Sequence, residues 1–533
     1  MRDPIRAEIQ RPYDVVVIGA GINGAGIARD AAMRGLRVLV LDKGDIGGST
    51  TARSTRLIHG GLRYLEHYEF ALVREALRER EIHFRIAPHA VRPLRFLVPI
   101  YEDFRRPAWM VRLGMLGYDA LSFDRSFESH RMLSPTAALR REPGLLRDGL
   151  RCAALYHDAQ VEYPERLTVE ALIAAREHGA TVVTHARVER LHAENGEVRE
   201  VEFTDLLTGG THRVRSSVTV NVTGPWVDQL LERAPGSFPR QIGGTKGSHI
   251  VLDPFPGAPR DAVYVEAPDG RPYFIVPWIG RYLIGTTDLR YDGDLDTVAA
   301  SWDEIDYLIA STNRIIPAAH LTRDHVLYSY AGVRPLPYTE ERTPGQITRS
   351  HIIREHDEVG GLLSIIGGKI TTWRRLAEEV VDTLLKKLDR PDPGCRTARV
   401  PLPGGAVGDF GRFAARFRRR TDLPAAAVER ILTVYGCRVH DVLALAEDDG
   451  RLGQPVGDCG LLGAEVLHAL RHELAETIAD VIFRRSMIGL EPDNGASAAE
   501  PAARLAAEHL GWDRARVRTE LDRYEREAAL LQP

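Results

Sequence analysis

The chain has 533 residues, enough for two or three domains around a sizeable core. Its 70 basic and 74 acidic residues nearly cancel to a formal charge of -4, which leaves no electrostatic footprint for nucleic acid. Cys152, Cys395, Cys437 and Cys459 lie far apart with no C-x-x-C pair, arguing against a metal site or a disulfide framework and for a reducing cytosol.

The start, MRDPIRAEIQRPYD, is charged and lacks an apolar h-region, so no signal peptide is predicted. No apolar run approaches the length of a membrane span, which leaves attachment to a membrane surface open. From Tyr13 to Asp42 the chain reads YDVVVIGAGINGAGIARDAAMRGLRVLVLD. Val15 to Ile18 has the β-branched composition of a strand buried on both faces. Gly19, Gly21 and Gly24 follow with G-x-G-x-x-G spacing, then a helix-like segment to Arg34, a stop at Gly35 and a second strand ending in Asp42. Gly19 permits a tight turn, Gly21 lets the backbone approach a pyrophosphate, and Gly24 lets helix and strand pack closely. Free N–H groups at the helix start, around Asn23, face the phosphates, and Asp42 is placed to accept hydrogen bonds from a ribose. Strand, glycines, helix, strand and acid in one unit predict a dinucleotide site.

Beyond Asp42, the hydroxyl-rich run containing Ser49, Thr50 and Thr55 can bond a cofactor, and Gly60 and Gly61 let the backbone pass something bulky. Glu66 to Arg85 reads as a long charged helix burying Leu72, Leu77 and Ile82. The next stretch, VRPLRFLVPIYEDFRRPAWMVRLGMLGYDALSF, alternates strand-like and helix-like pieces with Pro99 and Pro107 as breaks. Its helix, with Arg105, Arg106 and Arg112 beside Trp109, Met110, Leu113 and Leu116, reads as a packed core helix with arginines at its exposed start. The alternative is a helix lying in a membrane interface. Residues 155–191 give strand, turn, a helix stopped by Gly179, and strand. From Gln241 to Thr287 short β segments separated by turns predict an antiparallel sheet. A second strand–glycine–helix turn, SIIGGKITTWRR, brings another helix N-terminus to the cofactor. After a Pro/Gly linker near residue 393, VERILTVYG and the run from Ala464 to Arg484 read as amphipathic helices of an all-α tail without site-like chemistry.

Seven segments carry a specific resemblance: GAGINGAGIARDAA, LIHGGLRYLEHYEF, TGPW, KGSHIV, IGTTD, GVRPL and GGKITTWR. Together they resemble the FAD-dependent, quinone-linked aerobic glycerol-3-phosphate dehydrogenases, within the glutathione-reductase/amino-acid-oxidase-type flavoproteins. That resemblance implies an α/β FAD domain, an antiparallel β cap roofing the flavin and forming the substrate pocket, and an all-α C-terminal domain. The expected division is 1–92 with 151–240 and 345–392 for FAD, 93–150 with 241–344 for the cap, and 393–533 for the helices. It implies oxidation of sn-glycerol 3-phosphate to dihydroxyacetone phosphate, with electrons passing from FAD to a quinone by a cytoplasmic protein held peripherally at the membrane. A homodimer is left open.

The implied catalytic set is His59, His249 and Arg334, either histidine having a neutral imidazole suited to taking a hydroxyl proton. The phosphate, a near-dianion, is assigned to Arg63, Arg334, Lys369 and Arg349. The cofactor set is Gly19, Gly21, Asn23, Gly24, Asp42, Ser49, Thr50, Thr55, Gly224, Gly368 and Thr371. Where this chain reads VEYPERLT the family carries an Asp-Asp-Ala-Arg-Leu run, which leaves the contact near Glu162 to Arg166 open. The competing readings are an oxidase using oxygen, an amino-acid-oxidase-like enzyme needing fewer cations, and a non-catalytic flavin-binding regulator. An NAD-dependent dehydrogenase is disfavoured because TGPW and GGKITT lie far from the first βαβ unit.

Overall fold

A computed structural model describes residues 11–124, 126–340 and 347–532; most of the charged start, residues 1–10, lies outside them. Two sheets and a helical C-terminal unit make the molecule. The first sheet is built on β1 (Tyr13–Ile18), flanked in parallel by β2 (Val38–Leu41) and by the strand Thr211–Asn221, which pairs onward with Leu362–Ile366. β1 and β2 are almost wholly buried, as their unbroken Val/Leu/Ile runs require of strands covered on both faces. Helix α1 (Ile22–Met33) leaves the end of β1 and is stopped by Gly35, whose φ of +83° a side chain would resist. It runs between the helices Pro164–Glu177 and Trp373–Lys387, and Gly26 makes the second approach close: a Cβ there would meet the Trp373 ring at 2.6 Å.

The second sheet is mostly antiparallel. In order it carries Leu289–Arg290, Thr245–Leu252, Arg281–Gly285, Pro272–Trp278, Ala262–Glu266, Val91–Tyr101, Leu150–Val161 and Leu57–Ile58, with Val326–Arg334 along the other side of Thr245–Leu252. Strand Leu150–Val161 pairs along its length with Val91–Tyr101 and at its end with Leu57–Ile58, so residues 151–161 are hydrogen-bonded into this second sheet. Pro99 breaks nothing. The strand runs through it because its other neighbour pairs only at Phe96 and Leu97, leaving no partner for the missing N–H.

Three local readings are corrected. Glu66 to Arg85 is a 3-10 turn, Leu62–His67, followed by helix Phe70–Ile86, with the junction made by the left-handed Tyr68. The segment Ala108–Leu121 is one-sided: Val111, Met115 and Tyr118 are buried, while Trp109 is 66% and Leu113 63% exposed, with Met110 and Leu116 also outward. It is not the packed core helix expected. The run 464–484 splits into helix Gly463–His472 and a turn Ile478–Asp480 that continues as a π-helical turn, Val481–Arg485. Leu474 breaks it with φ +61°, beside a buried Glu473 that pairs with Arg166 at 2.7 and 2.8 Å. The tail is helical, as expected, with one two-residue β pairing, Pro455–Val456 with Leu461–Leu462, between its helices. Its apolar residues share one core with the second sheet.

Candidate functional site

A cavity of about 1380 Å³ runs between the two sheets. At one end is the glycine turn. A Cβ on Gly19 would meet the Val222 carbonyl at 2.5 Å, and one on Gly24 would meet the Gly19 carbonyl at 1.9 Å, so neither can carry a side chain. Gly21 is different: its nearest neighbour is Thr51 Oγ1 at 3.5 Å, and its free face borders the cavity. Asp42 also lines it. Each carboxylate oxygen accepts one backbone N–H, from Ala20 at 2.6 Å and Gly44 at 2.8 Å, which fixes the carboxylate and leaves further lone pairs for a ribose. Asn23 and Gly368 touch: a Cβ on Gly368 would lie 2.7 Å from Asn23 Nδ2, and that amide donates to the Gly367 carbonyl at 3.5 Å. The two strand-to-helix turns therefore meet at the cavity wall.

The hydroxyl run divides its work. Ser49 is exposed at the cavity, whereas Thr50 donates to the Val333 carbonyl at 2.8 Å and Thr55 bonds His249 Nε2 at 2.9 Å. Thr51, not singled out from the sequence, accepts the Ile22 N–H at 3.2 Å and so caps α1. Thr371 holds the His59 backbone, accepting its N–H at 3.1 Å and donating to its carbonyl at 3.3 Å. Gly224, with φ +63°, turns the chain at the end of its strand and borders the cavity. The open stretch Glu162 to Arg166 resolves into two buried ion pairs, Glu165 with Arg56 at 2.8 Å and Arg166 with Glu473.

At the other end the four basic residues expected for a phosphate converge. Arg63, Arg334 and Arg349 all act electrostatically on the partly buried Tyr64, and Lys369 Nζ stands 3.6 Å over its ring. Arg334 is held by Asp288 at 3.1 Å and by Thr286 Oγ1 at 2.9 Å, and Arg349 reaches the other oxygen of Asp288 at 3.6 Å. Lys369 Nζ is buried without a hydrogen-bond partner, and that burial lowers its pKa to about 7. Asp288 and Tyr64 escaped the sequence reading, although both sit inside quoted motifs, IGTTD and GLRYL.

Both histidines line the cavity. Burial depresses the pKa of each, His249 most strongly, so both imidazoles are neutral near pH 7. They differ in access. His249 is 1% exposed with Nδ1 sealed and Nε2 on Thr55, whereas the His59 ring is only partly buried, edge-on to Phe274.

A family model described as FAD dependent oxidoreductase matches residues 14–374, and one described as the C-terminal domain of alpha-glycerophosphate oxidase matches 395–517. A glycerol-3-phosphate dehydrogenase of Synechocystis is 46% identical across 97% of this chain and 96% of its own. The chain belongs to the FAD-dependent glycerol-3-phosphate dehydrogenase family. A D-erythritol 1-phosphate dehydrogenase of Brucella abortus is 40% identical over 89% of this chain and 94% of its own. The solved glycerol-3-phosphate dehydrogenase of Bacillus halodurans, complexed with FAD, superposes with a TM-score of 0.82 at 30% identity, covering 99% of this chain and 97% of that one.

The family cofactor is FAD, and the residues here fit it. The cavity joins an open Gly21 face and a fixed Asp42 to unpartnered buried polar atoms: Asn23 Oδ1, Arg53 Nη1 and Trp226 Nε1. These are donors and acceptors that a large polar ligand would satisfy.

Proposed function

We propose that this chain oxidises sn-glycerol 3-phosphate to dihydroxyacetone phosphate and delivers the electrons to a quinone at the cytoplasmic face of a membrane. The observation that carries the reading is the gathering of Arg63, Arg334, Arg349 and Lys369 about Tyr64, in the same cavity as the dinucleotide cradle. A phosphate monoester approaches two negative charges at neutral pH, and arginine forks with one compact ammonium match its oxygens. Two related proteins named for different polyol phosphates have that head group in common.

FAD, when bound, supplies the acceptor for the hydride leaving the alcohol carbon. His59 takes the hydroxyl proton. Its ring borders the cavity, burial and the Lys369 charge keep it neutral against the pull of Asp158, and Thr371 fixes its backbone. His249, bonded to Thr55 through Nε2, holds the hydroxyl-rich run against its strand. Arg334, oriented by Asp288 and Thr286, is the fork that would take the phosphate oxygens.

The exposed apolar strip on Ala108–Leu121, continued by Phe123, Tyr68 and Phe70, supports a peripheral membrane contact. Tyr118 on the buried side of that helix accepts the Gly60 N–H at 3.0 Å, linking the strip to the His59 loop. Among the described residues no helix is long and apolar enough to cross a membrane. The match of residues 395–517 to a domain named for an oxidase favours a second reading, in which oxygen takes the electrons.

Purified protein should show a flavin spectrum that bleaches anaerobically with glycerol 3-phosphate and not with glycerol. Stoichiometric peroxide at full turnover in air would replace the quinone by oxygen. A flavin that phosphate-bearing polyols fail to bleach would overturn the substrate.

A further inference from the structure

The C-terminal unit, which looks chemically plain in sequence, supplies part of the cofactor cavity wall. Asp480, Arg484, Arg523, Arg526 and Glu527 line the same cavity as Gly21 and Asp42. They come from the turn Ile478–Asp480, the π turn after it, and helix Arg514–Ala528. They meet the end of β2, where the fingerprint places a ribose.

The contact is a buried network of charges. Asp45, three residues past Asp42, takes both guanidinium nitrogens of Arg485 at 2.8 Å and the Nε of Arg484. Arg484 also holds Asp480 at 3.0 Å and Glu527, and Asp480 in turn holds His185 at 3.1 Å. His185 belongs to the segment that closes on Asp42: its N–H donates to the Gly44 carbonyl, and the next N–H to the Asp42 carbonyl. In a regular α-helix consecutive side chains point about 100° apart. Arg484 and Arg485, at the end of the π turn, nonetheless both reach one carboxylate, and such turns cluster at functional sites.

Stability alone does not explain this choice. Desolvating so many charges is unfavourable, and an apolar interface of the same shape would hold two units together as well. The same interface already has the Arg166–Glu473 pair and a shared apolar core. Further cations line the cavity itself. Arg53, in the same wall within the field of Glu527 and Arg484, keeps a buried Nη1 without a partner, and Arg526 stands exposed on the cavity lining.

We propose that the C-terminal helices clamp the adenosine-diphosphate end of FAD, with Arg484 as the residue that couples their docking to cofactor retention. Arg53 and Arg526 add positive charge toward the pyrophosphate. This rests on the cavity being the FAD site: colourless purified protein would defeat that premise, while the clamp is tested on yellow protein.

The test is the rate of FAD release after dilution of the holoenzyme at low salt, read as the rise in free-flavin fluorescence. Arg484→Gln should release FAD at least ten times faster than the parent. Arg526→Glu, a surface change that leaves the buried network intact, should release it about three times faster, with the difference shrinking at high salt. Parental release rates in both variants would overturn the clamp. Should Arg484→Gln yield no folded protein, a parental rate for Arg526→Glu overturns it alone.

Discussion

A Cβ at Gly247 would lie 2.1 Å from Arg334 Nη2, so the guanidinium lies directly across the backbone of the neighbouring strand. Gly247→Ala leaves the strand intact but must push the fork away from Asp288 and Thr286. Losing one charge-assisted contact of about 1.5–3 kcal/mol lowers kcat/KM for glycerol 3-phosphate roughly ten- to hundred-fold. Flavin content should stay at the parental level. Steady-state kinetics beside the absorbance ratio of the purified variant decide it, and near-parental kcat/KM would remove Arg334 from the phosphate.

His59→Ala should behave in the opposite way. Loss of a positioned base slows flavin reduction by roughly 10²- to 10⁴-fold while a phosphate-bearing product analogue still binds. Stopped-flow reduction and analogue titration separate the two effects. His249→Ala should slow reduction less, because its nitrogens are sealed; the reverse ranking would reassign the base.

Lys369 gives the site a pH signature. With its pKa lowered to about 7 by burial, it is cationic below that pH and neutral above it in the ligand-free protein. A bound phosphate dianion favours the charged form and raises that pKa. Binding near pH 8 should therefore draw a proton from buffer, while binding at pH 6 should draw little. Affinity for the dianion should weaken as pH rises past 7. Calorimetry in two buffers of different ionisation enthalpy measures the uptake, and Lys369→Met should abolish it. Uptake unchanged in that variant would assign the proton elsewhere.

Replacing Trp109 and Leu113 by serine removes two exposed apolar side chains from Ala108–Leu121. Each is worth roughly 1.5–3 kcal/mol when buried in an apolar phase, so vesicle partitioning should fall at least ten-fold. Turnover with a soluble dye acceptor should be retained, while turnover with a membrane quinone falls. Undiminished sedimentation with vesicles would move the membrane contact to another surface.

What the sequence discloses about this protein is local in origin. Gly19, Gly21 and Gly24 are readable because the turn they serve closes within six residues, and the Val/Leu runs of β1 and β2 are readable because burial on both faces leaves no polar position. Motif residues such as Arg63, Arg334 and Lys369 were found through resemblance, since nothing in their own neighbourhoods shows that they meet. The failures have a common cause in long-range contact. Thr50, expected at the cofactor, is spent on the carbonyl of Val333, a residue nearly three hundred positions later. The break at Leu474 answers to a buried Glu473 whose partner, Arg166, lies some three hundred residues earlier. Arg484 reads as one more charge on a helix until Asp45 stands opposite it.

The interlock of Asn23 with Gly368 has a consequence for biosynthesis. The turn that reads as self-sufficient in the first thirty residues gains its far wall only from residues near 370, and strand Leu362–Ile366 joins the sheet through Thr211–Asn221. A chain emerging from the ribosome therefore cannot complete its flavin cradle until about two-thirds of its length is made. Contacts this distant in sequence make the assembly of that sheet a slow, late event. Flavin capture is thereby tied to synthesis of the chain past Gly368: a product truncated before that point would retain the glycine fingerprint but have no closed cradle in which to hold the cofactor.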